Sequence, residues 1–208
     1  MKARKLMAVA LCAAACVTTT MFAEDDFGIE SASPVKIAEP VNPQPGMVLL
    51  GYSKRHNSRS GGSWLRDSIP TLQKAPALKT VVDKSEVFSL KALGNTEANV
   101  GMWSGFLKCK RASVYTFTLA YASGTNIRYS NNYSMRVNGK PVIPSGGGQS
   151  SVDVVLNVGW NKIDLVCQFS GNGKGTLSIV YKPKESLSDA RPLTPAMVYH
   201  DQKPEEDW

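Results

Sequence analysis

The residues best suited to holding a ligand lie between Asn126 and Tyr133. Tyr129 and Tyr133 offer flat faces for sugar rings or partner side chains. Asn126, Asn131 and Asn132 supply paired donor and acceptor groups, and Arg128 supplies a charge-assisted fork for a carboxylate or sulfate. The same stretch also reads as an ordinary polar hairpin with exposed tyrosines. Catalytic groups are thinly supplied. The only histidines are His56 and His200, no Gly-x-Ser-x-Gly elbow is present, and the scattered carboxylates Glu86, Glu97, Asp153 and Asp164 would have to converge to cleave a glycoside. Asp153 and Asp164 fall on the polar faces of their strands, where solvation is the simpler role. Gly171-Asn172-Gly173-Lys174-Gly175 has the composition of a phosphate cradle. Such a loop needs a following helix, and strand patterns flank this one, so a hairpin turn is expected. No catalytic residue, metal site or cofactor is expected.

Cysteine chemistry depends on the compartment. Lys2, Arg4 and Lys5 precede an apolar run from Leu6 to Val17, and Ala23 precedes an acidic stretch that opens at Glu24. This is the layout of a secretory signal peptide over residues 1–23. Ala13-Ala14-Ala15-Cys16 keeps a lipid anchor at Cys16 open as the rival reading. Export, to the periplasm, the cell surface or the medium, is expected either way. Cleavage would leave Cys109 and Cys167, whose positions share parity with the inward residues of their strands. They read as two plain core thiols or as a bonded pair. Export favours the bond, so a Cys109–Cys167 disulfide is expected.

Losing the signal removes three basic residues and no acidic ones, so the formal net charge falls from +7 to +4. Nucleic acid is therefore not expected as a partner. The remaining positive charge is unevenly spread. No Asp or Glu occurs from Ala98 to Ser151, while Lys108, Lys110, Arg111, Arg128, Arg136 and Lys140 do. An anionic glycan or envelope polymer is thus a better expected ligand than a neutral one.

Residues 24–45 hold Pro34, Pro40, Pro43 and Pro45 with five carboxylates against Lys36, the composition of an extended linker. From Gly46 onward the pattern is β. Met47 to Tyr52 is a short apolar run, and residues 53–84 read as a long basic loop with short pieces of structure. Strand patterns then recur at Val87–Leu90, Val100–Cys109, Val114–Tyr121, Tyr133–Val137, Val152–Val158, Ile163–Phe169 and Leu177–Tyr181. Most alternate with period two, and Gly-rich turns separate them. Asn138-Gly139 is the strongest short hairpin signal. The expected fold is all-β, a single antiparallel two-sheet β-sandwich of jelly-roll type over residues 46–201, with 202–208 as a tail. No transmembrane segment is expected in the mature chain.

The order of these pieces resembles the protective-antigen-type β-sandwich family. Gly46-Met47-Val48-Leu49-Leu50-Gly51-Tyr52 is similar to its first strand, Trp103-Ser104-Gly105-Phe106-Leu107 to its tryptophan strand, and Val114 to Leu119 to its "G-x-Y-x-F" strand, with Ser113 in place of the glycine. Arg136 to Val142, Val154 to Leu165 and Leu193 to His200 resemble its later turn, hairpin and closing segment. The resemblance implies a non-catalytic binding module, with glycans as the first ligand class. Sugar-binding members hold Ca²⁺ with adjacent aspartates between the "Y-x-F" strand and the Asn-Gly turn. Here Ala122 to Asn132 contains no carboxylate, and Ca²⁺ binds poorly without anionic oxygens. The calcium site is therefore not carried over. The alternative is a structural or partner-binding subunit of a surface assembly, with another surface protein as partner and no small ligand.

Overall fold

The computed structural model describes residues 38–53, 68–121, 133–146, 149–169, 175–186 and 190–202, all in the compact unit from Val35 to Trp208. They form two antiparallel sheets packed as a sandwich. The larger sheet contains β1 (Pro43–Pro45), β2 (Met47–Tyr52), β3 (Lys79–Asp83), β5 (Val100–Cys109), β7 (Tyr133–Val137), β8 (Lys140–Gly146), β10 (Gly159–Gln168) and β13 (Tyr199–Asp201). Its main path runs β1-β13-β5-β10-β7-β8, with β2 also on β5 and β3 on β2. The smaller sheet runs β12-β11-β6-β9, with β4 also on β11. Its strands are β4 (Phe88–Ser89), β6 (Ser113–Tyr121), β9 (Gln149–Leu156), β11 (Thr176–Pro183) and β12 (Arg191–Leu193). Among the described residues no helix is long and apolar enough to cross a membrane.

Alternation along the strands places one apolar face from each sheet in a shared core. Trp103 on β5 sits at its centre, fully buried, with Phe88 and Phe169 edge-on at centroid distances of 5.6 and 6.3 Å. Its indole Nε1 donates to Asp83 Oδ2 at 2.8 Å, and Asp83 Oδ1 accepts from the Ser85 amide and hydroxyl. This bridge gives the buried carboxylate of β3 its partners and ties an edge strand to the core.

The long basic stretch after β2 contributes more than a loop. A short helix, α1 (Ser68–Leu72), lays Ile69 and Leu72 on the outer face of the larger sheet, against Tyr52, Val100, Met102 and Val166. Tyr52 Oη donates to the Leu72 carbonyl at 2.7 Å. β5 and β10 are therefore buried on both faces over this half of the sheet, which is why β10 breaks its alternation between Ile163 and Gln168. Each such side chain taken from water contributes roughly 1.5–3 kcal/mol.

The Asn138-Gly139 turn joins β7 to β8 with both residues at positive φ, 54° and 79°, as a type I′ hairpin requires. Asn161, fully buried, accepts from Asn138 Nδ2 and the Asn157 amide and donates to the Asn157 carbonyl. One side chain thereby braces two neighbouring turns. β9 ends at Leu156, so Val158, expected on the inward face, stands 67% exposed in the second of these turns.

The expected disulfide is corrected by the strand register. Cys109 faces Gly159, and Cys167 faces Gly101, at opposite ends of the β5–β10 pair. Eight residue steps separate them, roughly 26 Å at strand rise, whereas a disulfide needs Cα atoms within about 7 Å. Both are buried and stand outside any disulfide, and burial pushes the Cys109 thiol above its ordinary range, so it stays protonated. Shared inward parity was read correctly, but parity carries no information about position along a strand. A thiol titration of the chain starting at Glu24, unfolded without reductant, is expected to find two free thiols. Finding none would contradict this register.

Candidate binding surfaces

The sandwich has two unlike ends. Tyr52 faces Val100, and Val100 faces Gln168. Cys167 faces Tyr133, Tyr133 faces Gly146, Ala120 faces Gln149, and Tyr121 faces Leu177. The ends of β2, β6, β8 and β10 and the starts of β5, β7, β9 and β11 therefore lie together. From this one end depart the segments 54–67, 122–132, 147–148 and 170–174. They carry Lys54, Arg55, Arg59, Arg66, Arg128 and Lys174 against a single carboxylate, Asp67. The opposite end carries short turns, including the two that Asn161 braces. In an antiparallel sandwich, connections gather at the two ends and the longer ones are the usual ligand contacts.

Asn126, Arg128, Tyr129, Asn131 and Asn132 lie outside the described residues. Tyr133, expected beside them, is in the core. It is fully buried, its hydroxyl reaches the Leu119 carbonyl at 3.4 Å, and burial pushes its phenol above the ordinary tyrosine range. It offers no face to a ligand. As the first residue of β7, it takes the inward parity it shares with Met135 and Val137.

Asp153 and Asp164, two of the four carboxylates weighed for glycoside cleavage, do not form a pair. Asp153 is on the outer face of the smaller sheet, 2.7 Å from both Lys184 Nζ and Thr116 Oγ1. The lysine hydrogen bond, and then that of Thr116, holds its carboxyl below the usual range. Asp164 is on the outer face of the larger sheet, with the core between the two. The sheets alone are about 10 Å apart, beyond the reach of a carboxylate pair on one glycosidic bond. Asp164 also departs from the expected solvated role. It is buried and accepts from Ser104 Oγ at 2.6 Å, because β5 and β7 flank its strand on both sides. Among the described residues no three His, Cys, Asp or Glu side chains gather as a metal site. A cavity of about 90 Å³ at the edge of the smaller sheet is lined by Glu86, Thr176, Ser178, Thr194 and apolar neighbours. The buried Thr194 hydroxyl has no protein partner, and the space suits a few waters.

A second surface was not recognised as such in the sequence. On the outer face of the larger sheet, Trp160 packs edge-on to Tyr199 at 5.4 Å and 77°, and Lys108 Nζ lies 5.0 Å from the Trp160 ring centroid. Phe106 faces both Tyr199 and Lys162 across the strands. Gly159-Trp160-Asn161 reads as a turn, but β10 already begins at Gly159. Extending the parity of Asp164 backwards through Lys162 would have placed Trp160 outward.

No protein-family model and no curated protein sequence matches the chain. Solved structures do. The PA14 domain of the MpAFP antifreeze protein superposes with a TM-score of 0.53 at 17% identity, covering 81% of this chain and 97% of that one. A PA14 sugar-binding domain from an RTX adhesin gives 0.50 at 13% identity over 71% of this chain and 95% of that one. An anti-sigma factor domain-containing protein gives 0.51 at 14% identity, over 79% of this chain and 50% of that one. At these identities the likeness establishes architecture: the chain has the two-sheet sandwich fold of PA14 domains.

Proposed function

We propose that the chain is an exported, non-catalytic binding module of the protective-antigen type. It recognises glycan or another envelope polymer through the end of the sandwich where the longer connections gather, without the family's calcium site. The observation that carries this reading is that the strand ends flanking four connecting segments, three of which carry Lys or Arg, lie together at one end of a fold shared with a sugar-binding domain. A positive field concentrates anions, so sulfated, uronic or sialylated chains are the preferred class. Without a carboxylate from Ala98 to Ser151, recognition falls to amide and guanidinium groups rather than to a cation bridge. That same lack of carboxylates favours a second reading, a partner-binding subunit of a surface assembly with no small ligand.

A glycan array probed with the chain from Glu24 onward separates the two. Acidic glycans are expected to bind, with affinity that falls as salt rises through the range where the screening length is about 10 Å. Arg128→Ala should weaken binding about tenfold or more, the loss of one charge-assisted hydrogen bond. Its circular dichroism should be unchanged. A blank across neutral and acidic sugars would support the second reading. Tight binding indifferent to both salt and Arg128→Ala would refute the anionic preference.

A further inference from the structure

We propose that the outer face of the larger sheet around Trp160 is a second glycan subsite, specific for acidic sugars and remote from the loop-bearing end. It rests on the reading of the chain as a glycan-binding module and adds a place and a charge preference within the described residues. Phe106, Trp160 and Tyr199 come from three adjacent strands, belong to neither apolar cluster and are each partly exposed. Strand spacing and rise give the patch roughly 10 by 7 Å, the footprint of one or two sugar rings.

The charge of the patch selects the occupant. Lys108 is exposed and Lys162 partly so, on the strands that carry Phe106 and Trp160. Arg136 follows on β7, directly opposite Asp164. Its Nε is buried and has no hydrogen-bond partner. Of the nearby acids, Asp164 is 4% exposed and bound by Ser104, and Asp201 accepts from the Asn42 amide at the sheet edge. The face is net positive and complements an anion. Register sets the chemistry further: Lys108 and Trp160 are cross-strand partners, so the ammonium is held over the ring in the free protein. A pyranose can lay its C–H face on Trp160 while Lys108 moves from the ring to the sugar's carboxylate or sulfate. The cation then exchanges a weak ring contact for a full charge pair.

The test uses chondroitin sulfate and polygalacturonate oligosaccharides as acidic probes, desulfated chondroitin and neutral oligosaccharides as controls, and a polyglutamate peptide. Lys108→Gln, at an exposed site, and Trp160→Ala, checked for folding by circular dichroism, are expected to lower affinity for an acidic glycan about tenfold each. Trp160→Phe should abolish the part of the ligand-induced fluorescence change that Arg128→Ala leaves intact. Acidic-glycan binding unchanged in both Lys108→Gln and Trp160→Ala overturns the subsite and leaves the module reading standing. Binding of neutral glycans alone does the same. No binding to any glycan overturns both readings. Binding of polyglutamate alone, lost with Lys108→Gln, overturns the sugar as occupant.

Discussion

Trp103→Ala is expected to lower the free energy of unfolding by about 3–5 kcal/mol, the range for removing a large buried aromatic. The residue is fully buried, two phenylalanine rings pack edge-on against it, and its indole N–H satisfies the buried Asp83 carboxylate. The loss should have two separable parts. Trp103→Phe keeps most of the apolar volume but leaves Asp83 Oδ2 without its donor, at a cost of about 1–3 kcal/mol. Asp83→Ala orphans the indole and also removes the acceptor for Ser85. Because the two groups are direct partners, the double variant Trp103→Phe with Asp83→Ala should lose less than the sum of the singles. Urea unfolding followed by far-UV circular dichroism measures all of these. Strict additivity, or a Trp103→Ala loss below about 1 kcal/mol, would mean that the Trp103–Asp83 bond does not organise the core.

Gly105→Val is expected to detach the closing segment. A Cβ at position 105 would lie 2.6 Å from Val198 Cγ1, 2.9 Å from the Tyr199 carbonyl oxygen and 3.1 Å from Met47 Cγ. Side chains can turn aside, but the Tyr199 carbonyl is backbone, and Gly46 N donates to the adjoining Val198 carbonyl at 2.7 Å. Either β13 shifts as a unit or the strand bends. Overpacking of this kind costs about 1–3 kcal/mol, and a displaced backbone segment adds to it. The consequence should be local. β1 is paired with β13 alone, so both ends of the described chain loosen together. Faster proteolysis within 194–202, with Trp103 still buried by fluorescence, is the expected pattern. Unchanged cleavage would show that β13 is not seated by this close approach. Tyr199 belongs to the aromatic patch, so Gly105→Val should also weaken any binding there.

Most of the strands were legible because their evidence is local. The apolar and aromatic runs Val100–Cys109 and Tyr133–Val137 marked β5 and β7 at the bounds observed, and Asn138-Gly139 marked the turn between β7 and β8. The strands that escaped notice are short or carry proline. β1 is Pro43-Gln44-Pro45 and β12 is Arg191-Pro192-Leu193. Their stability comes from a partner strand rather than from propensity. α1 was hidden for a related reason: five residues make too short a helix to show a period, and Ile69 and Leu72 have meaning only against the outer face of β5 and β10.

The candidate surfaces divide along the same line. Composition alone fixed the shortage of carboxylates and the basic excess, because charge is a property of residues and needs no geometry. Parity alone placed Cys109 and Cys167 inward. Register decided that they sit at opposite ends of a strand pair, that Lys108 lies over Trp160, and that Asp164 is enclosed between β5 and β7. Register is a relation between segments distant in the chain, set by which strands pair and how far each slides. A single strand's alternation repeats every two residues, and so cannot encode that offset.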